Sequence, residues 1–164
     1  MGNASGLKRK EQRGAFTLSR YREYIQLTKE MEQLYHGMAV SLGLSDSVLN
    51  LLYTLYEEGD GRTPTQLYNE WSLSKQTGHS ALMWLRERGM VELCPAPGDG
   101  RSKRVMLTEE GRRFVKRTVG PLLAAEKAAF SALLPGEQET LITLLRQLSN
   151  QLKEEITGRE FPAK

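Results

Sequence analysis

The sequence predicts an all-α fold with a small β-hairpin wing: a winged helix-turn-helix with flanking dimerisation helices. Three observations predict it. Apolar residues recur at three- and four-residue spacing along most of the chain. Two helical segments within residues 64–88 are joined by a link too short for anything but a tight turn. Immediately after them the apolar period changes to two, on both sides of a Gly- and Pro-rich stretch.

Taken in order, residues 1–14 are polar and basic, with Lys8, Arg9, Lys10 and Arg13 against Glu11. They read as a disordered arm able to touch phosphates. Residues 15–44 are expected to form an N-terminal dimerisation helix. Tyr21, Tyr24, Ile25, Thr28, Met31, Tyr35 and Met38 supply its stripe, and Gly43 stops it. A second helix starts at Ser45 or Asp46, either of which can cap free amides. It uses Val48, Leu49, Leu51, Leu52, Leu55 and Tyr56 and ends at Gly59.

Thr63 and Pro64 open a short third helix, where threonine caps and proline suits the first turn. Leu67 and Trp71 are its expected apolar anchors. Ser74 caps a fourth helix, KQTGHSALMWLRER, which stops at Gly89. Met90, Val91, Glu92 and Leu93 then alternate as a strand does, as do Arg104, Val105, Met106 and Leu107; residues 94–103 between them read as a loop. Thr108 caps a long helix with Glu109 and Glu110 in its first turn. Gly120 and Pro121 are expected to kink or interrupt it. After Pro135 and Gly136 a last helix carries Leu141, Leu145, Leu148, Leu152 and Ile156, close to a heptad seam. The DNA-binding domain is thus placed at residues 45–111 and the C-terminal dimerisation helices at 112–164.

Composition narrows the function. With 39% hydrophobic and 26% charged residues the chain can bury a core, which excludes wholesale disorder. The net charge of +3 is too small to argue for nucleic acid by itself, so the placement of charge matters more. The one thiol, Cys94, cannot form an internal disulfide and reads as a small packed residue. No apolar run approaches the ~20 residues that span a bilayer, and no signal peptide is visible at the start. Gly6 stands where a myristoylation signal needs Ser or Thr. A cytoplasmic protein without membrane contact is expected. Only two histidines, His36 and His79, accompany Cys94, and no zinc spacing results. The Gly98, Asp99, Gly100 run is too short for a phosphate loop. No acid, base and nucleophile set can be assembled, so neither a metal, a cofactor nor an enzyme is expected.

The chemistry concentrates in the turn and wing. On the fourth helix Gly78, Ala81, Leu82 and Leu85 share a face that should pack inward. The opposite side presents Lys75, Gln76, Thr77, His79, Ser80 and Met83. An α-helix fits the major groove; Gln pairs with adenine, Lys reaches guanine or phosphate, and Ser and His serve either role. The wing brings Arg101, Ser102, Lys103 and Arg104 beside Asp99. An arginine on a narrow hairpin can enter the strongly negative minor groove. Asp99 repels phosphate, so its expected role is to hold a wing arginine in position. Arg112, Arg113, Lys116 and Arg117 either extend this basic face or cover a solvated side.

The stretch from Ser45 to Gly111 resembles the multiple-antibiotic-resistance (MarR) family of bacterial regulators. SLSKQT, LRERGMVEL and GDGRSKRVMLTEEG carry the resemblance. The last matches the family pattern Asp-x-Arg-x-x-Arg-x-x-Leu-Thr-x-x-Gly at Asp99, Arg101, Arg104, Leu107, Thr108 and Gly111. With the flanking helices the resemblance covers nearly all of the chain past the arm. Gly78 departs from it, because the family usually has a bulky apolar residue there. The resemblance implies a homodimeric repressor on a pseudo-palindromic, double-stranded operator. It also implies a possible pocket for a small aromatic or anionic effector, which Tyr21, Tyr24, Met31, Tyr35 and His36 are placed to line. The other reading is a winged helix used for protein–protein interaction without DNA; Lys75 and the wing arginines weigh against it.

Overall fold

The computed structural model describes residues 18–96 and 99–159, and the basic arm at 1–14 lies outside them. The elements run α1 (Leu18–Ser41), α2 (Asp46–Glu57), α3 (Pro64–Glu70), α4 (Lys75–Glu87), β1 (Val91–Ala96), β2 (Asp99–Leu107), α5 (Glu109–Ser131) and α6 (Pro135–Thr157). This is the mostly helical fold with a two-stranded hairpin that the periodicity predicts. Contacts divide the chain into two compact units, one through Val115 and one comprising Lys116–Lys164.

Local hydrogen bonds set most helix starts. The Ser45 side chain accepts from the Val48 amide and that of Ser74 from Thr77, each satisfying an amide the helix leaves open. Thr63 and Gln66 cap reciprocally: the Gln66 amide reaches the Thr63 hydroxyl, and the Thr63 amide reaches Gln66 Oε1 at 2.9 Å. The turn between α3 and α4 closes with Leu73 N–H on the Tyr68 carbonyl at 2.9 Å. Ser72 takes φ +49° in that turn. Gly89, at φ +66°, reverses the chain out of α4 and into β1, a left-handed conformation that suits glycine.

The core of the first unit is built from α2, α3, α4 and the sheet. Leu51, Leu52, Leu55, Leu67, Leu82, Leu85 and Val105 are fully buried there. Deep in it, the Thr54 hydroxyl accepts from Trp71 Nε1–H at 2.8 Å, which satisfies a polar group that would otherwise be costly to bury. Trp71 was expected to anchor α3; it is instead half exposed at the helix end, edge-on to Tyr53. Tyr68 takes the buried place. The missed signal is spacing: Tyr68 lies next to Leu67 on the inward side of a helix only two turns long, and Trp71 falls past its end.

The wing is longer than expected. Residues 94–96 and 99–103, expected as loop, belong to the strands. Antiparallel pairing supplies what local sequence could not, and Pro95 is tolerated because a two-stranded hairpin leaves outward amide positions unpaired. Pro95 opposes Lys103 while Ala96 opposes Asp99, so Gly100, Arg101 and Ser102 are inserted on β2 as a bulge. Arg101 therefore lies in this bulge rather than at the hairpin tip. β2 also bridges to Arg62: the Gly61 amide donates to the Val105 carbonyl at 3.0 Å and the Val105 amide to the Arg62 carbonyl at 2.8 Å.

α5 runs on through Pro121, so of the expected kink or interruption the interruption does not occur. The residue before a proline resists helical geometry chiefly through its Cβ, and here that residue is Gly120. The second unit contains the end of α5 and all of α6. Pro135 begins α6, and the Glu137 carboxylate accepts from the Leu134 amide at 2.8 Å. No residue of α6 is buried, and the seam residues Leu141, Leu145, Leu148, Leu152 and Ile156 are all exposed. No single described helix is long and apolar enough to cross a membrane.

Candidate nucleic-acid interface

The fourth helix has the two faces its sequence predicts. Gly78, Ala81, Leu82 and Leu85 are buried. Lys75, Gln76, Thr77, His79 and Ser80 are exposed, and Met83 is half buried. The Thr77 hydroxyl lies 2.8 Å from the Ser74 hydroxyl, so it belongs to the cap as much as to the outer face. Sequence reading passed over Trp84, whose ring holds the Arg88 guanidinium 3.8 Å from its centroid. The i, i+4 spacing of an aromatic and a cation was the available signal.

α3 lies directly against the start of α4. A Cβ built on Gly78 would fall 2.4 Å from Tyr68 Cδ1, 2.5 Å from Cγ and 2.8 Å from Cε1. Glycine is thus required by the tyrosine ring, which explains the departure at this position. Beside the ring a cleft of about 410 Å³ is lined by Pro64, Thr65, Tyr68, Asn69, Leu73, Lys75 and His79. Burial pushes the Tyr68 phenol above its ordinary range, which keeps it protonated.

In the wing, the strands hold Lys103 and Arg104 on exposed surface. Arg104 is not simply a free basic group. Its Nη1 donates to the Gly61 carbonyl at 3.0 Å and ties the wing to the loop between α2 and α3. Ser102 is half buried in the bulge. The expected pairing of the Asp99 and Arg101 side chains lies outside the described residues. Asp60, which sequence reading did not single out, secures the base of the wing: one carboxylate oxygen accepts the Leu107 amide at 2.7 Å and the other meets the Arg112 guanidinium. Within the basic cluster, Arg112 is engaged in this way, and Arg113 approaches Glu109 at 4.0 Å in the open.

Thr108 and Gly111 form the joint between wing and α5. The Gly111 amide donates to the Thr108 hydroxyl at 3.0 Å, and the Thr108 amide donates to the Met90 carbonyl at 3.0 Å. A Cβ at Gly111 would lie 2.0 Å from that Met90 oxygen. The spacing of the threonine and glycine thus marks a place where helix and strand backbones almost touch.

Residues 42–102 match the family model for MarR. That stretch is similar to the MarR family. The chain is 29% identical over 111 residues to the HTH-type transcriptional regulator PecS of Dickeya dadantii, covering 66% of this chain and 67% of that one. Its fold is similar to NMB1585, a MarR family regulator from Neisseria meningitidis, with a TM-score of 0.69 at 23% identity over 87% of this chain and 98% of that one. It is also similar to MepR of S. aureus in a complex with DNA, with a TM-score of 0.63 at 21% identity over 84% and 99%.

The first helix presents Tyr21, Tyr24, Met31 and Tyr35 on exposed surface, with the Tyr21 and Tyr24 ring centroids 6.3 Å apart. His36 Nδ1 pairs with Asp46 at 3.0 Å, across the corner between α1 and α2. In the single chain these residues form a surface stripe. The 410 Å³ cleft is lined by other residues.

Proposed function

We propose that the chain is a MarR-family transcriptional regulator that binds a pseudo-palindromic operator as a homodimer, with α4 in the major groove and the wing against the neighbouring backbone, and that it represses from that site. The carrying observation is the two-faced α4. Its inner face is fastened by four buried residues, while Lys75, Gln76, His79 and Ser80 stand outward with donors and acceptors suited to base edges and phosphates. Lys103 on the wing adds a cation, and Arg101 in the bulge a second one by sequence. The likeness to a MepR–DNA complex supports the same reading.

The apolar stripes of α1 and α6 support dimerisation. Leu27, Met31 and Leu34 on one, and Leu144, Leu145 and Leu152 on the other, are each more than half exposed in the single chain. Symmetric dimers are the commonest way to cover such stripes. Sedimentation at micromolar concentration is expected to give a dimer, and a monomer would remove this part of the proposal. Selection of bound sequences from a random DNA pool tests the rest. Enrichment of an inverted repeat is expected; a chain that enriches no sequence is not a sequence-specific regulator, and protein-binding use of the wing then becomes the better account.

A further inference from the structure

We infer that Tyr68 is a positioning residue for DNA recognition: its ring, seated where every residue but glycine carries Cβ, sets where α4 presents Gln76 and His79. The inference rests on the DNA-binding reading above.

The contact is unusual in its location on both sides. On α3, the atoms that crowd Gly78 are Cγ, Cδ1 and Cε1, the near part of the ring, which cannot swing aside as a flexible side-chain end can. The ring is buried, and the Tyr68 carbonyl also accepts the Leu73 amide that closes the turn. On α4, Gly78 stands at the N-terminal end, between the exposed residues Gln76 and His79. The C-terminal half of the helix is held by Leu82 and Leu85, which are buried in the main core. One end of the helix is thus fixed by the core, and the other packs Gly78 on an aromatic ring. Lys75 and His79 share one cleft with that ring, so any change in its bulk is felt beside both of them. Hydrogen bonds to base edges require donor–acceptor distances near 3 Å, so a shift of roughly 1 Å at this seat changes which contacts can form.

Three variants test the inference: Tyr68→Phe, Tyr68→Ala and the double variant Tyr68→Ala with Gly78→Ala. Each is followed by thermal unfolding, by titration of the wild-type operator and by selection from random DNA. Tyr68→Phe keeps the ring and is expected to keep the wild-type base preference. Tyr68→Ala is expected to bind the operator on the order of tenfold more weakly and to alter preference at the half-site positions that Gln76→Ala and His79→Ala relax. In the double variant the added methyl refills the vacated space, so thermal stability should return toward wild type while the base preference stays altered. Should the double variant recover stability together with the wild-type preference and affinity, Tyr68 only fills space and the inference is wrong. If the wild-type chain itself enriches no sequence, the DNA-binding reading has failed and takes this one with it.

Discussion

Replacing Gly111 by alanine sets two physical effects of opposite sign against each other. Gly111 is the third residue of α5, and alanine is favoured over glycine in a helix by about 1 kcal/mol. Helix propensity alone therefore predicts a more stable protein. Packing predicts the reverse. The added Cβ would stand 2.0 Å from the Met90 carbonyl oxygen, 2.9 Å from its carbon and 3.2 Å from Leu107 Cδ2. To reach an ordinary 3.4 Å contact the start of β1 must retreat by 3.4 − 2.0 = 1.4 Å. That oxygen accepts from the Thr108 amide at 3.0 Å and from its hydroxyl at 3.3 Å. A retreat of this size breaks the amide bond, at about 1 kcal/mol, while the hydroxyl keeps its shorter bond to the Gly89 carbonyl. Residual overpacking adds about 1–3 kcal/mol. After subtracting the gain in propensity, the net loss is roughly 1–3 kcal/mol, and at about 2–4 °C per kcal/mol the Tm should fall by roughly 2–12 °C. Circular dichroism on heating measures it directly. Gly136→Ala is the control, because nothing lies within 4 Å of its added methyl; it should leave the Tm unchanged or raise it by up to about 1 kcal/mol in equivalent stability. A Gly111→Ala protein that melts at or above the wild-type temperature would refute the argument.

Asp60→Ala should destabilise by about 1–3 kcal/mol in urea unfolding, since it strands the Leu107 amide and releases Arg112; an unchanged midpoint would mean that water replaces the carboxylate without loss. Gln76→Ala and His79→Ala should each relax base choice at a defined operator position by about 1–3 kcal/mol, whereas equal weakening on all sequences would assign them to phosphate only. Arg101→Ala should weaken operator binding and lower the log–log salt slope by about one while folding stays intact; Asp99→Ala should also weaken binding, and tighter binding would discard its positioning role. Because burial raises the Tyr68 phenol, the unfolded chain loses that proton first as pH rises. The stability this group contributes is present below the ordinary tyrosine range and is lost at alkaline pH. Tyr68→Phe should therefore lose less stability on alkaline titration than wild type, and coincident profiles would exclude the effect.

The amino-acid sequence by itself determined the helices, their starts and the outward face of α4. Those features depend on interactions within about four residues: Ser45, Thr63 and Ser74 reach amides three positions on, and the spacing of Gly78, Ala81, Leu82 and Leu85 defines one side of a helix. The wing was legible as a hairpin, but its strand lengths and the bulge that carries Arg101 were not. Pairing across the hairpin decides those, and a register cannot be read from either strand alone. The same limit explains why Trp71 looked like an anchor and Tyr68 did not, and why Pro121 looked like a break. Tertiary structure alone showed that Asp60 holds the Leu107 amide, that Arg104 is tied to Gly61, and that Gly78 and Gly111 are glycines because a ring and a carbonyl oxygen occupy their Cβ positions. The last two partners lie ten and twenty-one positions from their glycines in the chain. Nothing in the local pattern encodes such distances; they follow from how closely packed elements settle against one another, where a single methyl group is enough to separate two backbones.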